Sequence, residues 1–141
     1  PATRTGKQSD TLASTMDISA SILDRAGLLP YNGMQGMSFL PSLAGEQVHR
    51  NELLIEYNDG LPRLGFTTAA RVRALRTKDY LFTHYQDQNW GELYDLQIDP
   101  SETHNRWDDP DYKAIKAELS LQLINQMTQQ MDVSPLAERL A

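Results

Sequence analysis

Apolar and polar positions change period along the chain, and each change predicts an element. Leu12, Met16, Leu23 and Ala26 recur at near-helical spacing, with Ile22 widening the stripe. This predicts a helix over 17–26 whose apolar face packs on a sheet, with Ser14 or Asp17 as its N-terminal cap. Gly27 suits the left-handed position that ends a helix, and Leu28 can fold back onto it. Pro30, Gly33, Gly36, Pro41 and Gly45 then mark a long connector, with room for one helical turn at 38–43. The short apolar run 52–57 reads as a strand ended by the turn Asn58-Asp59-Gly60, and residues 58–68 as a loop. Residues 69–76 and 80–85 read as a hairpin over Thr77-Lys78-Asp79, and 92–96 as a fourth strand. In 80–85 the period of two puts Tyr80, Phe82 and His84 on one face and Leu81, Thr83 and Tyr85 on the other. The period lengthens again at the end: Tyr112, Ile115, Leu119, Leu123 and Met127 form one stripe of a helix over 110–131. Asp109 can cap that helix, Pro110 fits its first position, and Asp111 suits its positive end. Residues 1–11 and the tail from Asp132 are expected to be loop. The fold class is α+β: a small, about four-stranded antiparallel sheet packed against a long C-terminal helix, preceded by a separate N-terminal helix.

The most ordered stretch of punctuation is Gly91 to Asn105, GELYDLQIDPSETHN. Leu93 and Leu96 anchor a short strand, and Tyr94 favours it. Asp99, Pro100 and Glu102 have the grammar of a helix start, with Asp99 as cap and Glu102 closing a capping box.

Composition narrows the function classes. The 141 residues carry a net charge of −6 with both signs mixed, which argues against a basic nucleic-acid or anionic-membrane surface. No apolar run approaches the roughly 18 residues that a spanning helix needs. Without Cys the chain has no disulfide, no thiolate nucleophile and no Cys-ligated zinc. A hydrophobic fraction of 40% is enough for a core. The polar opening at Pro1 reads as a loop entered from something upstream, hence as part of a longer protein; a complete small protein is the other reading.

Candidate chemistry is sparse. His49, His84 and His104 lack the spacing that would set two imidazoles on one helical face. Asp95, Asp99, Glu102, Asp108, Asp109 and Asp111 are dense, but they lack a calcium-loop pattern, and caps and turns explain most of them. Gly36-Met37-Ser38 is half of a nucleophile elbow without its second glycine or preceding strand, so Ser38 is a poor nucleophile. Glu56, at a strand end, and His84, on a strand face, are the acid–base candidates; the plainer reading of His84 is a partly buried core histidine. Arg71 and Arg73 share a strand face, with Arg76 on the opposite one, and such arginines either bind an anion or pair with neighbouring carboxylates. No Gly-rich phosphate loop or Ser/His/Asp order is present.

Glu92-Leu93-Tyr94-Asp95-Leu96, Asp99-Pro100-Ser101-Glu102 and Asn105 together resemble the C-terminal signature of the sulfatases, ELYDL-x-x-DP-x-E-x-x-N-L. Two further segments agree in order. Residues 17–27, DISASILDRAG, are similar to that family's D-I-x-P-T-L-L-D-L-A-G helix, and 35–45, QGMSFLPSLAG, to its Q-G-x-S-L-x-P-L-L-x-G. Residues 73–80 match its V-R-T-x-x-Y-K hairpin loosely. Two departures stand out. Ala20-Ser21 replaces Pro-Thr but keeps a hydroxyl, and Arg106 replaces the Leu after Asn105, with Trp107 as a candidate to fill its pocket.

The resemblance implies the C-terminal part of an arylsulfatase-like, alkaline-phosphatase-like enzyme that hydrolyses sulfate esters or N-sulfates. Its formylglycine motif, C/S-x-P-S/A-R, is absent here, and its calcium-binding and catalytic residues lie upstream of the matched segment. This chain therefore carries no cofactor of its own; calcium and formylglycine are implied for the full-length enzyme, and the chain is expected to be inactive alone. Residues 1–50 would be the tail end of the α/β domain and 51–141 the C-terminal subdomain, with that large domain as partner and a sulfated small molecule or glycan as substrate. Glu56, Arg73 and His84 are the side chains expected to face the substrate cleft. An apolar surface on the 17–26 helix is expected to be exposed in isolation, with dimerisation as a consequence. Export to the periplasm or medium is common in such enzymes, although no signal lies in this chain. Two alternatives stand beside this reading: the matching part of a phosphodiesterase or phosphonate monoester hydrolase, and a free-standing binding module.

Overall fold

The computed structural model describes residues 9–45, 49–63 and 65–131. The expectations for residues 1–8 and for the tail from Asp132 lie outside the described residues. The chain divides into two compact units, with the break between Arg50 and Asn51 and with Asn51–Gln129 as the second unit.

In the first unit, α1 spans Met16–Arg25 and α2 spans Leu40–Ala44. The C-terminus of α1 closes as Gly27 and Leu28 predict: Gly27 has φ 70°, its amide donates to Asp24 O, and the Leu28 amide donates to Leu23 O, a Schellman closure. The buried face of α1 differs from the expected apolar stripe. It consists of Asp17, Ala20 and Ser21, while Met16 and Ile18 are largely exposed and Ile22 is 63% exposed. The reason is polar. Asp17 Oδ1 accepts from the Met37 amide at 2.9 Å, Ser21 Oγ accepts from the Phe39 amide at 3.0 Å, and Asp24 Oδ2 accepts from Ser38 Oγ at 2.5 Å. Positions 17, 21 and 24 thus present one stripe that strings the connector along the helix. Gly36 is required where the connector meets α1, because a Cβ there would overlap the Met16 carbonyl.

The second unit is the expected sheet and helix. Strands β1 (Glu52–Asn58), β2 (Arg71–Thr77), β3 (Tyr80–Tyr85) and β4 (Gly91–Asp95) pair antiparallel in sequence order. A 3₁₀ turn, Pro110–Tyr112, leads into α3, Lys113–Gln129, with Asp109 Oδ1 accepting from the Asp111 amide as cap. Register aligns Leu54, Leu75, Phe82 and Leu93 in one row across all four strands. Leu119 and Leu123 of α3 close over that row, leaving Leu75, Phe82 and Leu93 at 0–2% exposure. Each such side chain contributes about 1.5–3 kcal/mol by burial.

Trp107 completes the core. Its ring stacks on Phe82 at 5.5 Å and packs against the buried cluster. Lys116 lies 4.5 Å over the Trp107 ring and donates to its carbonyl. Met127, expected in the stripe, is 38% exposed, and Leu121 and Ile124 face outward at 60% and 58%.

The turn after β4 corrects the expected helix start. Residues 100–105 form no helix; Glu102 N donates to Asp99 O in a turn, and Glu102 sits at φ 56°. A left-handed residue cannot continue a right-handed helix. Glu102 pairs instead with Arg76 at 3.0 Å, and Asp99 accepts from the Thr103 and His104 amides. The bond from His104, opposed by desolvation and reinforced by Thr103, holds the Asp99 carboxyl below its ordinary range. Asn105 explains its place in the motif: its Oδ1 accepts from the Leu93 and Trp107 amides and its Nδ2 donates to Gly91 O, so it finishes the free edge of β4.

Candidate functional site

Strand register gathers the three candidates named from chemistry. Glu56 of β1 lies opposite Arg73 of β2, and Arg73 lies opposite His84 of β3. They form one cross-strand row on the face that carries the core, two residues beyond Leu54, Leu75 and Phe82. Gly91 of β4 continues the row. A Cβ at Gly91 would overlap the Trp107 ring and the Thr83 carbonyl, so only glycine lets Trp107 lie at this boundary. The apolar half of the face ends there and a charged half begins.

Within the row, Arg73 Nε lies 2.8 Å from Glu56 Oε1. The contact is an ion pair rather than a hydrogen bond, because the buried Nε–H has no aligned acceptor. Arg73 Nη1 is committed to Asn58 Oδ1 at 3.0 Å and to Val72 O at 2.8 Å. His84 is exposed and has no hydrogen bond or ion pair among the described residues. The core reading of His84 is therefore corrected: its face is buried only as far as Phe82, where α3 and Trp107 stop covering it. Arg71, at the strand start, is exposed as well. The row thus offers a fixed cation, a carboxylate and a free imidazole side by side.

At the same end of the sheet, with Tyr85 on the opposite face from His84, three rings meet that the sequence pattern did not connect. Phe66, Tyr85 and Trp90 lie with centroids 4.5–6.0 Å apart. Burial raises the Tyr85 phenol pKa, and Glu92, which accepts its O–H, raises it further. No local pattern links a loop residue, a strand end and a strand start separated by 24 positions.

The first unit holds a separate cluster. Asp17 is fully buried and accepts from the Ser14 and Met37 amides, from His49 Nε2 at 2.8 Å, and from Arg50 Nε and Nη2 at 3.0 and 2.5 Å. An ionised carboxylate only accepts, so His49 carries its proton on Nε2. Desolvation works against the Asp17 charge, but the bonds from Arg50, Met37, Ser14 and His49 outweigh it and hold the carboxyl well below its ordinary range. With every lone pair engaged, Asp17 is a structural clamp. Ser38, bonded to Asp24 and accepting from the Leu40 amide, is likewise structural.

Calcium does not fit the described residues. Among the described residues no group of three or more His, Asp or Glu side chains could hold a metal ion. Four of the dense carboxylates are engaged: Asp95 accepts from Tyr112 Oη, Asp99 from three donors of Thr103 and His104, Glu102 pairs with Arg76 and Asp109 with Arg106. The sequence has no Cys to supply a formylglycine.

Comparison with known proteins places these features. The profile of the C-terminal region of N-sulphoglucosamine sulphohydrolase matches residues 1–130. A Delta 4,5-hexuronate-2-O-sulfatase of Bacteroides thetaiotaomicron is 32% identical over 120 residues, 84% of this chain and 24% of that protein. A solved structure in complex with its substrate D-glucosamine-2-N,6-O-disulfate is similar at 27% identity and TM-score 0.68, over 84% of this chain and 24% of the other. The phosphonate monoester hydrolase of Silicibacter pomeroyi is similar at 25% identity and TM-score 0.81, over 94% and 28% respectively. This chain therefore spans about a quarter of the length of these relatives.

Proposed function

The chain belongs to the family of N-sulphoglucosamine sulphohydrolase C-terminal domains, and from that premise we propose that it is the substrate-side part of a sulfatase, inactive alone, which lends Glu56, Arg73 and His84 to a cleft completed by a larger catalytic domain. The observation that carries this reading is the cross-strand row, in which the three lie adjacent on the part of the sheet face that the helix leaves open. Calcium and formylglycine chemistry belong to the partner domain in this reading. Arg73 Nη2 and the His84 imidazole would hold the anionic group of the substrate through charge-assisted bonds. Glu56 keeps the guanidinium in place and offers an acceptor for a hydroxyl. The row binds and orients; no proton transfer is required of it.

Residues 1–50 are, on the same reading, the end of the large α/β domain, and 51–141 the C-terminal subdomain. Ile18, Ile22, Leu29 and Tyr31 are 51–90% exposed and supply apolar surface for the rest of that domain. A second copy of the chain on this surface is the competing occupant. Gel filtration of the chain with and without the catalytic domain separates the two.

The substrate is a sulfated saccharide, the class shared by the hexuronate-2-O-sulfatase and the glucosamine-disulfate complex to which the chain is similar. The second reading is a phosphonate monoester hydrolase, favoured by the overlay on the Silicibacter pomeroyi enzyme. Assay of the polypeptide that carries this chain against a sulfate ester and a phosphonate monoester decides between them. Alanine substitution of Arg73 there raises KM for the true substrate; unchanged kinetics in the variants of all three row residues contradict the proposal.

A further inference from the structure

The aromatic trio is not used by the row, and its surroundings have the chemistry of a ligand site. Phe66 and Tyr85 stack with an interplanar angle of 21°, and Trp90, 41% exposed, leans on both. A recess of about 240 Å³ opens beside the rings, with Phe66, Tyr85, Arg71, Gln86 and Asp87 in its lining. A second, of about 270 Å³, lies between Phe66 and Trp90. Both fall below the roughly 300–1,000 Å³ of sites for drug-sized ligands, so each admits about one ring. Arg71 has no ion-pair or hydrogen-bond partner for its side chain among the described residues, whereas Arg73 and Arg76 on the same strand are paired.

Packing alone does not require this arrangement. Trp90 keeps 41% of its surface open, and the Arg71 side chain in the lining of the first recess has no hydrogen-bond or ion-pair partner among the described residues. Apolar ring faces beside a fork of planar polar groups suit a ligand that is itself apolar on one face and hydroxylated at its rim, which describes a pyranose. We propose that Phe66, Tyr85 and Trp90 form a stacking platform for one saccharide ring bearing an anionic substituent, with Arg71 binding that anion and Gln86 and Asp87 the ring hydroxyls. The site lies at the same end of the sheet as the Glu56–Arg73–His84 row, with Tyr85 on the opposite face from His84, and it rests on the reading of a saccharide substrate given above. It assigns to this chain the recognition of a second sugar unit, separate from the one held by the row.

The test is direct binding to the full 141-residue chain, followed by the indole N–H resonances of Trp90 and Trp107. Trp90→Phe assigns the two signals. Methyl glucuronide and glucose 6-sulfate distinguish a carboxylate from a sulfate anion, with methyl glucoside as the neutral sugar and inorganic sulfate as the anion without a ring. The expected result is a shift of Trp90 and not of Trp107 by at least one anionic sugar. Arg71→Gln, which removes no side-chain hydrogen bond or ion pair among the described residues, weakens that binding about tenfold and leaves methyl glucoside unchanged. No shift of Trp90 by any sugar overturns the platform, as does an equal shift by inorganic sulfate. Because Arg71 and Trp90 stand outside the row, a failed platform with a raised KM in the Arg73 variant leaves the row intact, and the converse result removes the row alone.

Discussion

Arg73 Nε stands 2.8 Å from Glu56 Oε1 across the β1–β2 pair, yet its N–H is aimed at no acceptor. The guanidinium is positioned by its neighbours without being exhausted by them. With one side chain 22% exposed and the other 51%, the pair lies at the surface and contributes little to stability. Glu56→Gln should therefore change the urea midpoint of the chain by less than about 0.5 kcal/mol equivalent, measured by equilibrium unfolding. A large loss would make the pair structural instead.

Asp17 is the opposite case, a buried charge on which unit one depends. Asp17→Asn turns one acceptor atom into a donor, which would face Ser14 N, His49 and Arg50 at the Oδ2 position or Met37 N and Arg50 at the Oδ1 position. Breaking such a pair costs about 3 kcal/mol or more. Hydrogen exchange at the Ser14 and Met37 amides should lose protection accordingly. The sign of the pH dependence follows from a carboxyl pKa lowered on folding: the stabilisation is complete above the ordinary value of 3.8 and is lost as pH falls below it. In Asp17→Asn that acid-side decline in Met37 protection should be absent.

Asn105 closes the edge of β4 with three hydrogen bonds. Asn105→Ala should destabilise the sheet unit by about 1–3 kcal/mol in urea melts. Asn105→Asp keeps the acceptor but loses the donor to Gly91 O, and should fall between wild type and Ala.

Gly91→Ala places a methyl group against Trp107 and the Thr83 backbone. The backbone cannot yield, so the indole must move. A cost of about 1–3 kcal/mol is expected, with a shift of the Trp107 resonance while that of Trp90 keeps its position.

How far these features were legible depends on the range of the interactions that set them. The strands were legible because alternation is local, and Leu75, Phe82 and Leu93 each sit where a period of two puts them. Glu56, Arg73 and His84 were nameable from residue chemistry, but their alignment in one row required the register, which no single strand encodes. The helix start at Asp99 misled because Asp-Pro-x-Glu serves a turn as well as a cap, and the left-handed Glu102 decides between them. Asp17 looked like a cap; that it gathers His49 and Arg50, 32 and 33 residues on, follows only from the tertiary fold. The buried face of α1 was misassigned for the same reason, since the clamp turns Ile18 and Ile22 outward.

The central claim is that this chain supplies the substrate-holding row of a sulfatase. Its most direct test is the steady-state kinetics of Arg73→Ala in the polypeptide that carries the chain, with a sulfated saccharide as substrate. The account predicts KM raised about tenfold with kcat within about twofold, because the lost contact holds ground state and transition state alike. Unchanged KM, with Glu56→Ala and His84→Ala equally silent, would contradict it.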